Sequence, residues 1–295
     1  MTTLRPHYPV AVLCRVLAVS RSGYHAWRRR PPSMRAQENA RLEVAIQAAH
    51  VRTRQTYGPE RLQTELREDG FSAGVSRIKR LRTKLGGRCK QVRRFTATTD
   101  SNHPLPVADN LLAQRFAATQ PNETWVTDIT YVPTAEGWVY LAGIKDLYTC
   151  EGVGHAMGER MTTDLVNRAL MAAVGAKRPR PGLLHHSDRG SQYCAHDYQA
   201  RLKQFGLRAS MSRRGNCYDH APMESFWGTL KNELVHHRRY ETRDQAQREI
   251  TEYIDIFYNR QRRHSKLGNL SPAAFAQQWA RQHRRHEAAT HSVHY

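Results

Sequence analysis

Apolar residues recur at helical spacing near the start of the chain: Val10, Leu13, Val16 and Leu17, then Tyr24 and Trp27 after the interruption Ser20-Arg21-Ser22-Gly23. The run Arg28-Arg29-Arg30-Pro31-Pro32 ends the pattern, giving a compact helix–turn–helix candidate. A second candidate begins with Leu62 and Leu66, breaks at Gly70, and resumes at Val75-Ser76 with Ile78, Leu81 and Leu85 inward. Its outward positions carry Arg77, Lys79, Arg80, Arg82 and Lys84, so this second helix is the one expected to face DNA.

From Glu123 the period changes to two. Trp125, Thr127, Ile129 and Tyr131 alternate with Val126, Asp128 and Thr130, which predicts a strand. Trp138 to Leu147 and Gly152 to Met157 predict two more, with links short enough for an antiparallel meander. A helix with Val166, Ala169, Leu170 and Ala173 in register follows, then the strand Leu183 to Ser187. A helix with Tyr198, Leu202 and Phe205, the strand Leu207 to Met211 and a long helix from about Pro222 complete an order βββαβαβα. This order matches the ribonuclease H-like architecture, a mixed five-stranded sheet flanked by helices. Ile250, Tyr253, Ile254 and Phe257 mark a further helix, and Ser271-Pro272 opens a last one, with fraying expected after about 283. The expected fold is thus an α/β ribonuclease H-like core preceded by an all-α helix–turn–helix region. The expected domains are a basic helical region over 1–96, a linker over 97–120, a catalytic core over 121–283 and a tail over 284–295.

Charge sharpens this division. The chain of 295 residues carries a net +20, and residues 1–100 hold 21 Lys or Arg against 7 Asp or Glu. Residues 101–210 hold 11 against 10, and residues 211–295 hold 14 against 9. A basic head on a nearly neutral body points to a polyanion, held by the head while the body performs chemistry. No apolar run approaches the ~18 residues of a membrane span, so neither a membrane partner nor a signal peptide is expected. Five cysteines without a C-x-x-C pair fit neither a disulfide framework nor a zinc site, and agree with a cytoplasmic setting, nucleoid-associated when DNA is bound.

Asp128 lies inside a strand, where Asp is disfavoured unless it is needed. Asp188 lies at the carboxyl end of the fourth strand, where α/β sheets place functional groups. Glu224 lies on the helix after the fifth, with 35 residues between it and Asp188. In this architecture the three carboxylates can converge, and their mutual repulsion implies a divalent cation bound through oxygen, Mg²⁺ with Mn²⁺ as substitute. Such ions activate a water or 3′-hydroxyl and stabilise the leaving oxygen of an in-line phosphodiester displacement. Lys231 follows Glu224 by seven residues, on the same helical face.

The surroundings of these residues resemble a known family. Trp125 to Tyr131, His186 to Tyr193, and Tyr218 to Trp227 with Lys231 resemble the three blocks of the Asp-Asp-Glu transposases of bacterial insertion sequences, relatives of retroviral integrases. The nearest resemblance is to the second-reading-frame (OrfB) protein of the insertion-sequence-three family. Tyr57-Gly58, Ser101 to Val107, Trp138 to Ala142, Tyr258 to Ser265, Leu267-Gly268 and Ser271-Pro272 extend it over nearly the whole chain. The resemblance implies that Asp128, Asp188 and Glu224 are the metal-binding catalytic residues and that Lys231 contacts DNA near the cleaved end. Arg260, Arg262 and Arg263 are expected to join the DNA contacts. The family cuts DNA at the 3′ ends of its element and joins those ends by direct transesterification, with Mg²⁺, in a multimer bridging both ends. It also implies an upstream first-frame protein, often fused by frameshifting, without which this chain is expected to be incomplete for end recognition.

Three positions depart from the family pattern: Lys145 where an apolar residue is usual, Gly152 in place of a branched one, and His220 where Asn follows Tyr-Asp. Pairing with a carboxylate would relieve a buried Lys145. The zinc-binding module of retroviral integrases is not visible. The principal reading is a transposase. A catalytically inactive DNA-binding regulatory subunit is the alternative, disfavoured by the intact carboxylates, and a general ribonuclease H-type nuclease ranks last because it leaves the helix–turn–helix region without a purpose.

Overall fold

A computed structural model describes residues 1, 3–90, 105–213 and 217–292, with the side chains of 217, 218 and 285–292 outside the description. The motif positions 101–104 and the expected boundary at 96 and 97 lie outside the described residues. The chain forms two compact units: Met1–Arg52 with Leu62–Arg88, and Thr53–Arg61 with Cys89–Tyr295.

The first unit is helical. Its elements are α1 (Val10–Val16), α2 (Arg21–Arg29), α3 (Met34–Arg52), α4 (Pro59–Glu68, whose first turn falls in the second unit) and α5 (Val75–Lys84). Ser20 caps α2 by accepting from the Gly23 N–H, so the polar run that looks like an interruption is the helix start. Gly70 ends α4 with φ +85°, a left-handed conformation that glycine adopts without strain. The 19-residue α3 has no counterpart in the sequence expectations; it buries only Leu42, Ile46 and Ala49.

The second unit is built on five strands: β1 (Thr124–Thr134), β2 (Gly137–Asp146), β3 (Gly152–Gly158), β4 (Leu184–Ser187) and β5 (Arg208–Met211). Their order is β3-β2-β1-β4-β5, with β1–β2 and β2–β3 antiparallel and β1–β4 and β4–β5 parallel. This is the mixed sheet the pattern predicts. On one face α6 (Thr163–Lys177), α7 (Ser191–Cys194) and α8 (His196–Gln204) cover Trp125, Ala142 and Ile144. On the other, α9 (Ala221–Glu233), α10 (Arg243–Glu252) and a π-helical segment, Tyr253–Gln261, cover Val126, Val132, Val139 and Leu141. The alternation of β1 places Asp128 on this second face with Val126.

Residues 105–120, read as linker, pack onto this core. Leu112 is buried, and the N–H groups of Leu111 and Leu112 donate to Ser210 Oγ at 2.9 and 3.3 Å. The last helix, α11 (Pro272–Ser292), also runs past 283, where fraying is expected. It contains no Gly or Pro after Pro272 and is rich in Ala, Gln and Arg, all good helix formers. Among the described residues no helix is long and apolar enough to cross a membrane.

The unusual residues of the third-strand region find partners. Gly152 exchanges two 2.9 Å hydrogen bonds with the Asn259 side chain, and a Cβ there would meet Ile254 at 3.2 Å and Phe226 at 3.4 Å. A branched side chain would have to displace the π-helical segment. Lys145 is buried, but its partner is a carbonyl rather than the carboxylate expected: Nζ donates to Pro222 O at 3.2 Å and lies 5.9 Å from the Phe226 ring centre.

Candidate active site

The site lies where β1 and β4 run side by side. The parallel register pairs Val126 with His186, so two residues further along each chain Asp128 and Asp188 come abreast. Asp188 leaves the strand in a tight turn, its Oδ1 accepting from the Gly190 N–H at 2.8 Å. Glu224 stands in the first turn of α9, with Pro222 one residue inside the helix start.

The electrostatics tie the three together. Burial pushes the Asp128 carboxyl up to about 7, helped by the charges of Asp188 and Glu224, while N–H donation from Ile129 and Trp227 opposes the rise. Burial also pushes the Tyr193 hydroxyl well above its ordinary value, with Asp128 and Asp188 contributing. Lys231, two turns along α9 from Glu224, lies with its Nζ 5.2 Å from the Tyr131 ring centre. Burial lowers its pKa and the charge of Asp128 acts to hold it up. His220, immediately before α9, shares a 2.9 Å hydrogen bond with Ser212 Oγ, and burial lowers its pKa against the pull of Asp188, Asp219 and Glu224.

Among the described residues no three His, Cys, Asp or Glu side chains are gathered closely enough to hold a metal ion. Asp188 and Glu224 nevertheless both act electrically on Asp128, and Glu224 is exposed. Their chemistry fits a hard divalent cation: the donors are all oxygen, and Asp128 is buried within the electrostatic reach of two other carboxylates.

The positions expected to bind DNA divide. On α5, Lys79 and Arg80 are exposed, whereas Arg77 is turned to Asn39 and Glu38 at 2.9 and 3.2 Å and Lys84 to Glu43 at 2.7 Å. Arg82 is buried, contrary to expectation. It follows Ile78 by four residues and Leu81 by one, which places it on the inward stripe. In the C-terminal region Arg260 is exposed, but Arg262 and Arg263 point inward, a second correction. Arg262 is paired with Glu233, and Arg263 donates to the Asn269 carbonyl at 3.0 Å.

Trp227 was not among the expected site residues. Its indole Nε1–H donates to Asp128 Oδ2 at 3.1 Å. The signal was present in the sequence: positions 224, 227 and 231 share one helical face.

A family model described as "Integrase core domain" matches residues 118–217, a second with the same description matches 224–279, and one described as "HTH-like domain" matches 36–95. The chain is 62% identical to the "Insertion element IS600 uncharacterized 31 kDa protein" of Shigella sonnei, over 90% of this chain and 98% of that one. It is 43% identical to the "Transposase InsF for insertion sequence IS3A" of Escherichia coli (strain K12), over 91% and 94% of the two chains. The fold aligns with the HTLV-2 integrase catalytic core domain in complex with magnesium at a TM-score of 0.44 and 15% identity, over 54% of this chain and 99% of that one.

Proposed function

Because this chain belongs to the IS3 family of insertion-sequence transposases, with an integrase core and an HTH-like domain, we propose that Asp128, Asp188, Glu224 and Lys231 carry its cleavage and joining of DNA. The observation that supports this assignment is the carboxylate of Asp128, made costly to ionise by burial and by the charges of Asp188 and Glu224. Integrase-type cores use divalent metal ions. Here Asp128, Asp188 and Glu224 would hold Mg²⁺, or Mn²⁺ in its place. Bound there, the ion supplies Lewis-acid stabilisation of the attacking and leaving oxygens of a phosphodiester.

The protein's own groups do the rest. Lys231, positive and partly desolvated beside Asp128, pairs with a phosphate oxygen close to the cleaved bond. Ser187, Asp188 and Gly190 form a fixed turn that holds one carboxylate while α9 carries another. The reaction is hydrolysis at each element 3′ end followed by direct attack of the freed 3′-hydroxyl on a new phosphodiester, with no covalent protein–DNA intermediate. Lys79 and Arg80 on α5 and Arg260 contribute phosphate contacts. The DNA partners are element ends and target, and the working form is an oligomer that includes the upstream first-frame protein, often as a fusion.

The test is 3′-end cleavage and strand joining on end-labelled element DNA with Mg²⁺ or Mn²⁺, by the full chain with and without its upstream partner, beside Glu224→Gln. Joined products that vanish in the variant support the assignment. DNA binding without chemistry, even with the partner supplied, sinks it and leaves a regulatory subunit.

A further inference from the structure

Asp128 and Gly143 are directly opposite each other in the β1–β2 pair. A Cβ added at Gly143 would lie 2.5 Å from Cη2 and 3.0 Å from Cζ2 of Trp227, so the bare backbone at 143 is the seat of the indole ring. From that seat the ring reaches across the pair and donates its N–H to Asp128 Oδ2 at 3.1 Å. Trp227 is 5% exposed and its ring is braced by Phe226, whose ring centroid lies 4.8 Å away.

An indole N–H can only donate, and a buried one usually finds an acceptor. A carboxylate can rotate about its last bond, and a single directed donor on one oxygen fixes that rotation. Trp227 also sits on α9 between Glu224 and Lys231, on the face they share. One helix therefore delivers a carboxylate, a cation and the hydrogen bond that sets the orientation of a second carboxylate on the neighbouring sheet. Packing alone would not require the nitrogen of the ring to point at Asp128.

We infer that Trp227, seated on Gly143, is a positioning residue that locks the Asp128 carboxylate through Oδ2 and leaves its other oxygen free to hold a divalent cation. The inference rests on the reading of Asp128 as a cation-holding residue. Its role resembles that of the outer groups that orient metal ligands, whose loss costs about 10- to 100-fold in metal affinity or activity.

The experiment is a Mg²⁺ titration of 3′-end cleavage by the full chain with its upstream partner, comparing wild type, Trp227→Phe, Gly143→Ala and Asp128→Asn. Phe keeps an aromatic ring at the position but removes the donor; Ala at 143 pushes the indole off its seat. Both variants are expected to need about 10- to 100-fold more Mg²⁺ for half-maximal cleavage, with the rate at saturating Mg²⁺ much less affected. A Trp227→Phe midpoint equal to wild type overturns the inference, while the dead Asp128→Asn chain leaves the underlying reading standing. A wild-type chain with no Mg²⁺-dependent cleavage overturns that reading and the inference with it. If Trp227→Phe and Gly143→Ala fail to fold, ¹⁵N-labelled indole groups decide the matter without either of them. One of the five tryptophan N–H resonances should move on adding Mg²⁺ and should be shifted in Asp128→Asn; five unmoved resonances overturn the inference.

Discussion

The Arg262 guanidinium clasps the Glu233 carboxylate, Nη2 at 2.8 Å from Oε1 and Nε at 2.8 Å from Oε2, with the two side chains only 7% and 9% exposed. Tyr253 Oη adds a 2.6 Å hydrogen bond to the same carboxylate. Burial works against the charge of Arg262, yet Glu233 outweighs it and raises the pKa. The pair fastens the last turn of α9, two residues beyond Lys231, to the chain leaving the π-helical segment. Removing one member leaves the other charged and buried, which costs about 3–5 kcal/mol. Arg262→Ala should therefore lower unfolding free energy by about that amount, measured by urea denaturation. A variant as stable as wild type with weakened DNA binding would return Arg262 to the DNA surface.

His264 stands against the same guanidinium, Arg262 Nη1 lying 3.3 Å from His264 Nε2. Burial, with Arg262, Lys145 and Arg61 adding positive charge, drives its pKa down to about 2. His185, hydrogen-bonded to Tyr198 Oη at 2.7 Å, is likewise lowered to about 3 by burial. Both are neutral when folded and take up a proton on unfolding below the ordinary value of 6.5. The stability they support is complete above that pH and is lost as pH falls from it toward about 3. Each should contribute a slope of about 1.4 kcal/mol per pH unit in that window. Urea midpoints between pH 7 and pH 5 check this, and His185→Phe should make the slope shallower; an unchanged slope would show that His185 does not titrate on unfolding.

Lys145 presents the opposite case, a buried amine whose hydrogen bond goes to the uncharged carbonyl of Pro222 at 3.2 Å. Desolvation lowers its pKa, Cys150 pulls the other way, and Lys266 and Arg262 add smaller lowering contributions. A bond to a charged group contributes about 1.5–3 kcal/mol, less than the several kcal/mol that desolvating an ammonium costs. Lys145→Met should therefore be as stable as wild type or more stable by about 1 kcal/mol. A loss of stability above about 2 kcal/mol would mean that the anchor on the α9 start outweighs the desolvation.

The sheet was legible because a period of two is a local signal, and Asp128 stood out as an Asp at an inward position of β1. The packing partners of the arginines were not. Arg262 meets Glu233 across 29 residues of sequence, and no local pattern distinguishes it from the exposed Arg260. Arg82 could have been read correctly, since its spacing from Ile78 already places it inside. The 105–120 segment carries apolar residues with no helical or strand period, and it is fastened by Ser210 and Asp219, about a hundred positions away in sequence. Helix α3 escaped because its buried positions are few, and alanine, its most frequent residue, gives no amphipathic signal.

That division among the basic residues can be measured. Each DNA phosphate that a variant leaves unneutralised should make the slope of log affinity against log salt shallower by about 0.9. Lys79→Ala and Arg80→Ala together are expected to change the slope by about 1.8 while leaving stability within about 0.5 kcal/mol, because both side chains are exposed. Arg260→Ala should act likewise, with a change of about 0.9. Arg82→Ala should behave in reverse, losing stability because a buried side chain is truncated and leaving the slope where it was. Fluorescence anisotropy on element-end DNA across a salt series, with urea denaturation of the same proteins, separates the two kinds of arginine. An unchanged slope in the Lys79→Ala/Arg80→Ala chain would remove α5 from the DNA interface.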